Sequence, residues 1–238
     1  MPLYGIVIGV QVYILPQNAY ERRSERMDSM LIIGICGASG SGKTHLATEL
    51  IARRKKVDDG GIVLLHQDAY YKDQSHRTSE ERALLDFDDP TVAFDHDLLF
   101  ADVQALLSGQ PITKKGYDFT RHVRADSDEL IYPGEVLLIE GIHTFYTEAL
   151  RELMNLRIFI NVDPDVCLLR RIRRDIKERG RTIDSIANQY ISTVKPAYEK
   201  YIRHYDQYAH VVVSYGKDSN MDKTIIDMIA HYVNAGHI

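Results

Sequence analysis

The stretch Leu31-Ile32-Ile33-Gly34-Ile35-Cys36-Gly37-Ala38-Ser39-Gly40-Ser41-Gly42-Lys43-Thr44-His45-Leu46-Ala47 decides how this chain is read. An apolar, β-branched run enters a glycine loop, and a helix-forming run leaves it. The loop from Gly37 to Thr44 has the G-x-x-x-x-G-K-T spacing of a phosphate-binding P-loop. Glycines let successive backbone N–H groups turn onto phosphate oxygens without a Cβ in the way. The helix that follows adds the partial positive charge of its N-terminus. Lys43 is placed to bridge β- and γ-phosphates, and the Thr44 hydroxyl to ligate Mg²⁺. Gly37, Ala38, Ser39, Gly40, Ser41, Gly42, Lys43 and Thr44 therefore form a candidate site for a nucleoside triphosphate.

Working outward, the 238 residues fit one large domain or a domain with a lid. A formal net charge of -5 argues against a dedicated nucleic-acid binder, which is usually basic. The two cysteines, Cys36 and Cys167, lack zinc spacing and sit in apolar runs. Buried free thiols in a reducing, cytoplasmic setting are expected. The apolar run Leu3–Leu15 is too short for a membrane-spanning helix, which needs about 20 residues. Neither the basic start nor the cleavage site of a signal peptide is present. Residues 1–30, with the charged stretch Glu21–Arg26, read as an extension outside the core, and an added edge strand from Tyr4 to Leu15 stays open.

From Leu31 onward, apolar runs alternate with helical patterns, which implies a parallel α/β sheet. Gly61–His66, Glu135–Ile139, Arg157–Val162 and His210–Ser214 join Leu31–Cys36 as five strands, continuous in the manner of strands covered on both faces. The expected architecture is the three-layer sandwich of P-loop proteins. Asp68, Glu140 and Asp163 follow strands and reach the ligand-binding edge of such a sheet. Asp163 precedes Pro164 and reads as a helix cap. An insert of about 78–133 breaks the rhythm. It carries Phe87-Asp88-Asp89-Pro90, a helix from about Asp95 to Leu107, and the aromatic, charged run Gly116–Arg124.

A lid of about 165–182 follows the fourth strand. Leu168, Leu169, Ile172 and Ile176 recur at helical spacing and predict the buried stripe of its helix. Arg170, Arg171, Arg173, Arg174 and Lys177 predict a basic face, with Arg179 and Arg181 beyond and Gly180 as hinge. Arginine forks suit phosphoryl oxygens, so the run reads as a phosphate clamp. Ile183, Ile186, Tyr190 and Val194 continue a helix that Pro196 must kink or break. A last helix runs from about Asp222 to Val233. A P-loop, Mg²⁺ ligands, a base and a cationic lid together describe a small-molecule kinase, whose chemistry rests on positioning and charge stabilisation.

From Leu31 to the last helix the chain resembles uridine (uridine–cytidine) kinases of the P-loop kinase superfamily. The resemblance rests on Gly37–Thr44, Gln67–Asp73, Phe87-Asp88-Asp89-Pro90, Tyr117-Asp118-Phe119 with His122 and Arg124, and Ile139–Ile142. It continues through Arg170–Asp175, Glu178–Arg181, Gln189-Tyr190 and Val194-Lys195-Pro196. It implies transfer from ATP or GTP to the 5′-hydroxyl of uridine, and of cytidine, giving the monophosphate in pyrimidine salvage. Asp68 is then the general base, and Thr44, Glu140 and Asp68 are the Mg²⁺ shell, partly through water. Asp88 would hold the ribose 2′- and 3′-hydroxyls. Tyr117 and His122 would read the base, with Phe119 and Tyr71 lining its pocket. Arg171, Arg181 and Gln189 match substrate contacts, and Lys43, Arg174 and Arg179 phosphate contacts. A homotetramer is also implied, with neither a nucleic-acid nor a membrane partner.

Asp89 departs from the family's usual histidine, and a second carboxylate there is expected to raise the pKa of Asp88 or of its neighbour. His204, Ala209-His210 and the tail Ser214–Asn220 are also off-pattern. Two other classes fit the P-loop. A phosphoribulokinase would share Asp68 and the lid but would gain nothing from aromatics around a sugar phosphate. A nucleotide-binding regulator without turnover would lack a catalytic element.

Overall fold

The computed structural model describes residues 3–7, 10–14, 30–54, 61–215 and 223–234. The charged stretch 21–26 and the tail segment 216–220 lie outside the described residues. The strands are β1 (Leu3–Val7), β2 (Val10–Ile14), β3 (Leu31–Gly37), β4 (Ile62–His66), β5 (Ile112–Thr113), β6 (Tyr117–Asp118), β7 (Val123–Arg124), β8 (Leu130–Ile131), β9 (Val136–Gly141), β10 (Leu156–Asn161) and β11 (Val211–Tyr215). The helices are α1 (Lys43–Arg54), α2 (Ser79–Ala83), α3 (Pro90–Ala93), α4 (His96–Leu107), α5 (Glu148–Leu153), α6 (Pro164–Arg179), α7 (Ile183–Gln189), α8 (Lys195–Lys200) and α9 (Lys223–Asn234).

One sheet runs in the order β1-β2-β11-β10-β3-β9-β4. Its last five strands are mutually parallel. The N-terminal run, for which an added edge strand stood open, forms the β1–β2 hairpin, and β2 pairs antiparallel with β11. The period of two in a strand sends alternate side chains to opposite faces. Ile33, Ile35, Val136, Leu138, Ile158 and Ile160 pack on one side with Leu46, Leu50, Ile226 and Ile229 of α1 and α9. Ile32, Cys36, Leu137, Ile139 and Phe159 pack on the other with Leu99, Val103 and Leu106 of α4, Phe145, and Ile202 and Tyr205. Three layers result, and both cysteines are buried and free. The insert holds α2–α4 and two small two-stranded sheets, β5–β8 and β6–β7.

Helix α6 corrects the sequence reading. The apolar stripe Leu168, Leu169, Ile172 and Ile176 is not what it buries: Leu169 and Ile176 are 55% and 42% exposed. The buried positions are Val166, Cys167, Arg171 and Asp175. Only the first turn, through Val166 and Cys167, joins the core beside the sheet. Further along, the inward face meets a polar cleft, and charged groups occupy it. Asp163 holds the N-cap position before Pro164, but its side chain makes no capping bond. Gly180 ends the helix in the left-handed region at φ 62°, the usual glycine stop. Pro196 does not break the next helix outright. A π-helical turn over Tyr190–Val194 widens the backbone just ahead of it, and α8 continues.

Candidate active site

The P-loop joins β3 to α1 at the carboxyl edge of the parallel strands. Gly40 adopts φ +86°, and a Cβ there would stand 2.5 Å from the Cys167 carbonyl oxygen. No other residue type tolerates both conditions. The loop is thus seated against the first turn of α6. Lys43 is buried, and its ammonium donates to the Ala38 carbonyl at 2.9 Å, folding the side chain over the loop. The Thr44 hydroxyl donates to Glu140 Oε1 at 3.2 Å, and His66 Nδ1 lies 2.7 Å from the same oxygen. Burial pushes the Glu140 carboxyl up, but the His66 hydrogen bond and Lys43 outweigh it and hold the pKa below its ordinary value.

Asp68 sits in the 3₁₀ turn Gln67–Tyr70 directly after β4. Burial and the Glu140 charge raise its pKa, against Lys43, Arg179 and Arg174. Thr44 and Glu140 provide one hydroxyl and one carboxylate side by side. Among the described residues no group of three or more His, Cys, Asp or Glu side chains could hold a metal ion. That donor set fits Mg²⁺ that keeps several waters and shares phosphate oxygens.

Beyond the loop opens a cavity of about 840 Å³. Asp68, Tyr71, Asp88, Tyr117, Phe119, His122, Arg171, Arg174, Arg179, Arg181 and Gln189 all line it. The structure thus brings together residues drawn from β4, the insert and the lid, and Ser39 of the P-loop shares the wall. Its aromatic side is built on Tyr71, whose ring lies 4.2 Å from Phe94 and 4.9 Å from Tyr117 between centroids. His122, at φ 54°, stacks on Phe87 at 4.2 Å with an interplanar angle of 15°. Burial, with Arg82 and Arg181, holds its pKa below the usual histidine value, so the ring is neutral. Neither His122 Nδ1 nor the Tyr117 hydroxyl has a hydrogen-bond partner among the described residues. Arg179 of the lid lies 4.8 Å over the Phe119 ring, so lid and insert meet across the cleft.

Asp88 lies 7% exposed on the floor of the cavity. Its carboxylate accepts from Thr193 Oγ1 at 2.7 Å and from Gln189 Nε2 at 3.5 Å. Burial raises its pKa, opposed by Arg171 and Thr193 and reinforced by Asp86 and Asp68. The expectation for Asp89 is corrected. Its carboxylate turns away to cap α3 through the Thr91 amide at 2.8 Å and takes the Tyr201 hydroxyl at 3.0 Å. Despite partial burial, those bonds lower its own pKa, and its charge is not among the causes that raise that of Asp88.

Two site residues escaped the sequence reading. Thr193 reaches Asp88 from the π-helical turn Tyr190–Val194, which no local pattern signals. His143 is 1% exposed and sits beneath Asp88. Its Nε2 lies 2.8 Å from the Asp88 carbonyl, which can only accept, so the proton is on Nε2 and Nδ1 accepts from the Tyr205 hydroxyl at 2.9 Å. The histidine followed Glu140-Gly141-Ile142 in the sequence, close to a motif but outside it.

A P-loop at the carboxyl edge of a five-stranded parallel sheet with helices on both faces defines the class: this fold is that of a P-loop kinase. A model of the phosphoribulokinase/uridine kinase family matches residues 32–222. The chain belongs to that family. It is 39% identical to a uridine kinase of Leuconostoc citreum over 86% of this chain and 95% of that one. It is 40% identical to a uridine kinase of Halalkalibacterium halodurans over 86% and 94%. Among solved structures, a possible uridine kinase from Bacillus stearothermophilus shares the fold with a TM-score of 0.55 at 17% identity, over 79% of this chain and 91% of that one.

Proposed function

We propose that the chain transfers the γ-phosphoryl group of ATP or GTP to the 5′-hydroxyl of uridine, and of cytidine, giving the nucleoside monophosphate of pyrimidine salvage. The observation that carries this reading is the cavity itself. One end holds a neutral histidine and a tyrosine hydroxyl without partners, set among aromatic rings. The same cavity is lined by the buried Asp88 carboxylate, by Asp68 and by Ser39 of the P-loop. A flat heterocycle with polar edges suits the aromatic wall, a ribose diol suits the Asp88 carboxylate, and the 5′-hydroxyl is the group that Asp68 would orient. A sugar phosphate would leave the aromatic wall without a partner.

In this reading His122 Nδ1 and the Tyr117 hydroxyl read the edge of the base, and Phe119 and Tyr71 pack on its face. Asp88, steadied by Thr193 and Gln189, accepts from the ribose 2′- and 3′-hydroxyls. A deoxyribose leaves that carboxylate short of a partner, which makes the sugar a point of selection. Asp68 orients the 5′-hydroxyl and takes its proton as the bond to phosphorus forms. Its raised pKa makes it a better acceptor than an ordinary aspartate. Lys43, Arg174 and Arg179 stabilise charge on the transferring group. Thr44, Glu140 and Asp68, partly through water, would hold a Mg²⁺ ion, which would supply neutralising charge to the phosphates. The chain acts as a homo-oligomer, and the family resemblance favours a tetramer. Among the described residues no helix is long and apolar enough to cross a membrane, and a cytoplasmic setting suits the free buried thiols.

The test is an acceptor panel of uridine, cytidine, deoxyuridine, purine nucleosides and ribulose 5-phosphate, each with ATP and GTP. Uridine and cytidine are expected to lead. Preference for the sugar phosphate would overturn the reading.

A further inference from the structure

The buried face of α6 holds a single carboxylate, Asp175, that is 0% exposed and lies among four arginines. Its two oxygens serve different partners. Oδ1 faces Arg174 at 2.9 Å and Arg179 at 3.6 Å. Oδ2 faces Arg171 at 3.6 Å and Arg181 at 3.5 Å.

The two pairs point to different ends of the cleft. Arg174 also reaches the P-loop at Ser39 Oγ, 3.5 Å away, and Arg179 lies over Phe119. Arg171 and Arg181 converge on Gln189 Oε1 at 2.9 and 2.6 Å, and the amide nitrogen of Gln189 faces Asp88. The Oδ1 pair thus belongs to the donor side and the Oδ2 pair to the acceptor side.

We infer that Asp175 is a positioning residue for phosphoryl transfer, one carboxylate that sets the donor-side and acceptor-side arginine pairs in register. It touches neither substrate itself. This rests on the kinase reading of the site.

The physical argument is one of charge and direction. Four guanidiniums crowded along the last turns of one helix and just past its end repel one another and would splay into solvent. A buried counter-charge at their centre fixes where each fork points, and preorganised donors contribute most to transition-state stabilisation. Breaking a buried ion cluster by removing its centre is costly because uncompensated charges remain. The hydrogen bonding is uneven. Arg174 Nε donates to Oδ1 at 2.9 Å, whereas no described residue hydrogen-bonds Oδ2. The acceptor-side pair is therefore tied to Asp175 by charge alone, with Gln189 bonding both arginines and Ser185 bonding Arg181, and it responds to any redistribution of charge on Asp175. A triphosphate that draws Arg174 and Arg179 toward itself leaves more of the carboxylate's charge to Arg171 and Arg181, and tightens the acceptor end.

The variant Asp175→Asn keeps shape and removes one negative charge. A cluster more positive by one unit attracts a polyanion at least as well, so the affinity for a non-hydrolysable ATP analogue is expected to hold or tighten. The turnover number is expected to fall by up to about 10²-fold, the scale of a misplacement caused from outside the chemistry. Uridine affinity in wild type is expected to rise when the ATP analogue is present, and that rise is expected to vanish in the variant. Thermal melting of both proteins, with and without the analogue, establishes that the variant is folded. Turnover at the wild-type level overturns the inference, and so does a parallel loss of analogue and uridine affinity in a folded variant. If Asp175→Asn does not fold, Gln189→Leu, which cuts the acceptor-side link, is expected to abolish the same coupling; coupling that survives there also overturns it. The analogue-binding arms need no turnover, so a wild-type protein that binds ATP yet phosphorylates no nucleoside would refute the kinase reading separately.

Discussion

Replacing His143 by Gln has an effect whose size follows from the structure. The ring is neutral, buried against four aromatic side chains, and used at both nitrogens. Burial pushes its pKa down from 6.5 to about 3, with His96 and Lys43 adding to the fall against the Asp88 carbonyl and Asp89. The unfolded chain takes up this proton below about pH 6.5, and the fold does not until about 3. Stability from this group is therefore complete above pH 6.5 and is lost as pH falls through the window. Integrating the linkage gives a loss of about 2 kcal/mol between pH 7 and pH 5 that belongs to His143 alone. A glutamine donates to the Asp88 carbonyl but does not titrate. The variant is expected to be less stable than wild type at pH 7 by about 1–3 kcal/mol, from imperfect packing and one hydrogen bond lost. Its further loss on going to pH 5 is expected to be smaller by about 2 kcal/mol. Urea unfolding at the two pH values measures both. His210, whose pKa is also lowered by burial, to about 4, contributes to both proteins and cancels in the comparison. Equal losses in wild type and variant would refute the neutral, buried assignment and with it the bond pattern beneath Asp88.

Asp68→Asn is expected to lower turnover by about 10²–10⁴-fold while leaving the affinity for an ATP analogue intact; turnover near wild type removes Asp68 as the base. Thr193→Val is expected to raise the KM for uridine about tenfold, the scale of one hydrogen bond to a charged group, with kcat little changed. An unchanged KM would show that Thr193 does not steady Asp88. Deleting residues 1–29 is expected to leave turnover intact and to increase self-association, read by size-exclusion chromatography, because it bares the edge of β11 that β2 covers. Loss of turnover would show that the hairpin supports the site.

The five parallel strands were legible in the sequence because they carry their own signal, unbroken apolar runs, four of them followed by a glycine loop or an acid, whereas the β1–β2 edge stayed open. Glycine, lysine and threonine at fixed spacing name the phosphate loop for a reason that is local to the backbone. The cavity was legible only through resemblance, since Asp88, Tyr117 and Gln189 stand far apart in the chain and meet only in the fold. What stayed hidden depends on long-range geometry. Thr193 turns inward at a π-helical turn, and His143 finds Tyr205 and the Asp88 carbonyl from 62 and 55 residues away. Asp89 looked like a partner for Asp88 by adjacency, yet neighbours in an N-cap point apart.

Helix α6 shows why periodicity failed where it mattered most. Helical spacing identifies which residues share a face, but the sign of a face is inferred from hydrophobicity, on the premise that the buried side is dry. Beside a cleft lined by charged side chains that premise inverts. The inward residues are Arg171 and Asp175, while Leu169, two residues before Arg171, and Ile176, next to Asp175, are turned outward. A buried charge is tolerated only where a counter-charge meets it, so the inversion requires Asp175 beside the arginines. In this helix the acid within the arginine run is thus what allows its inner face to be ionic. The same reasoning gives a check that needs no substrate. Ile176→Lys and Leu169→Lys, on the exposed face, are expected to leave the urea midpoint within the range of ordinary surface changes, about ±0.5 kcal/mol, whereas an apolar inner stripe would make either change cost several times that.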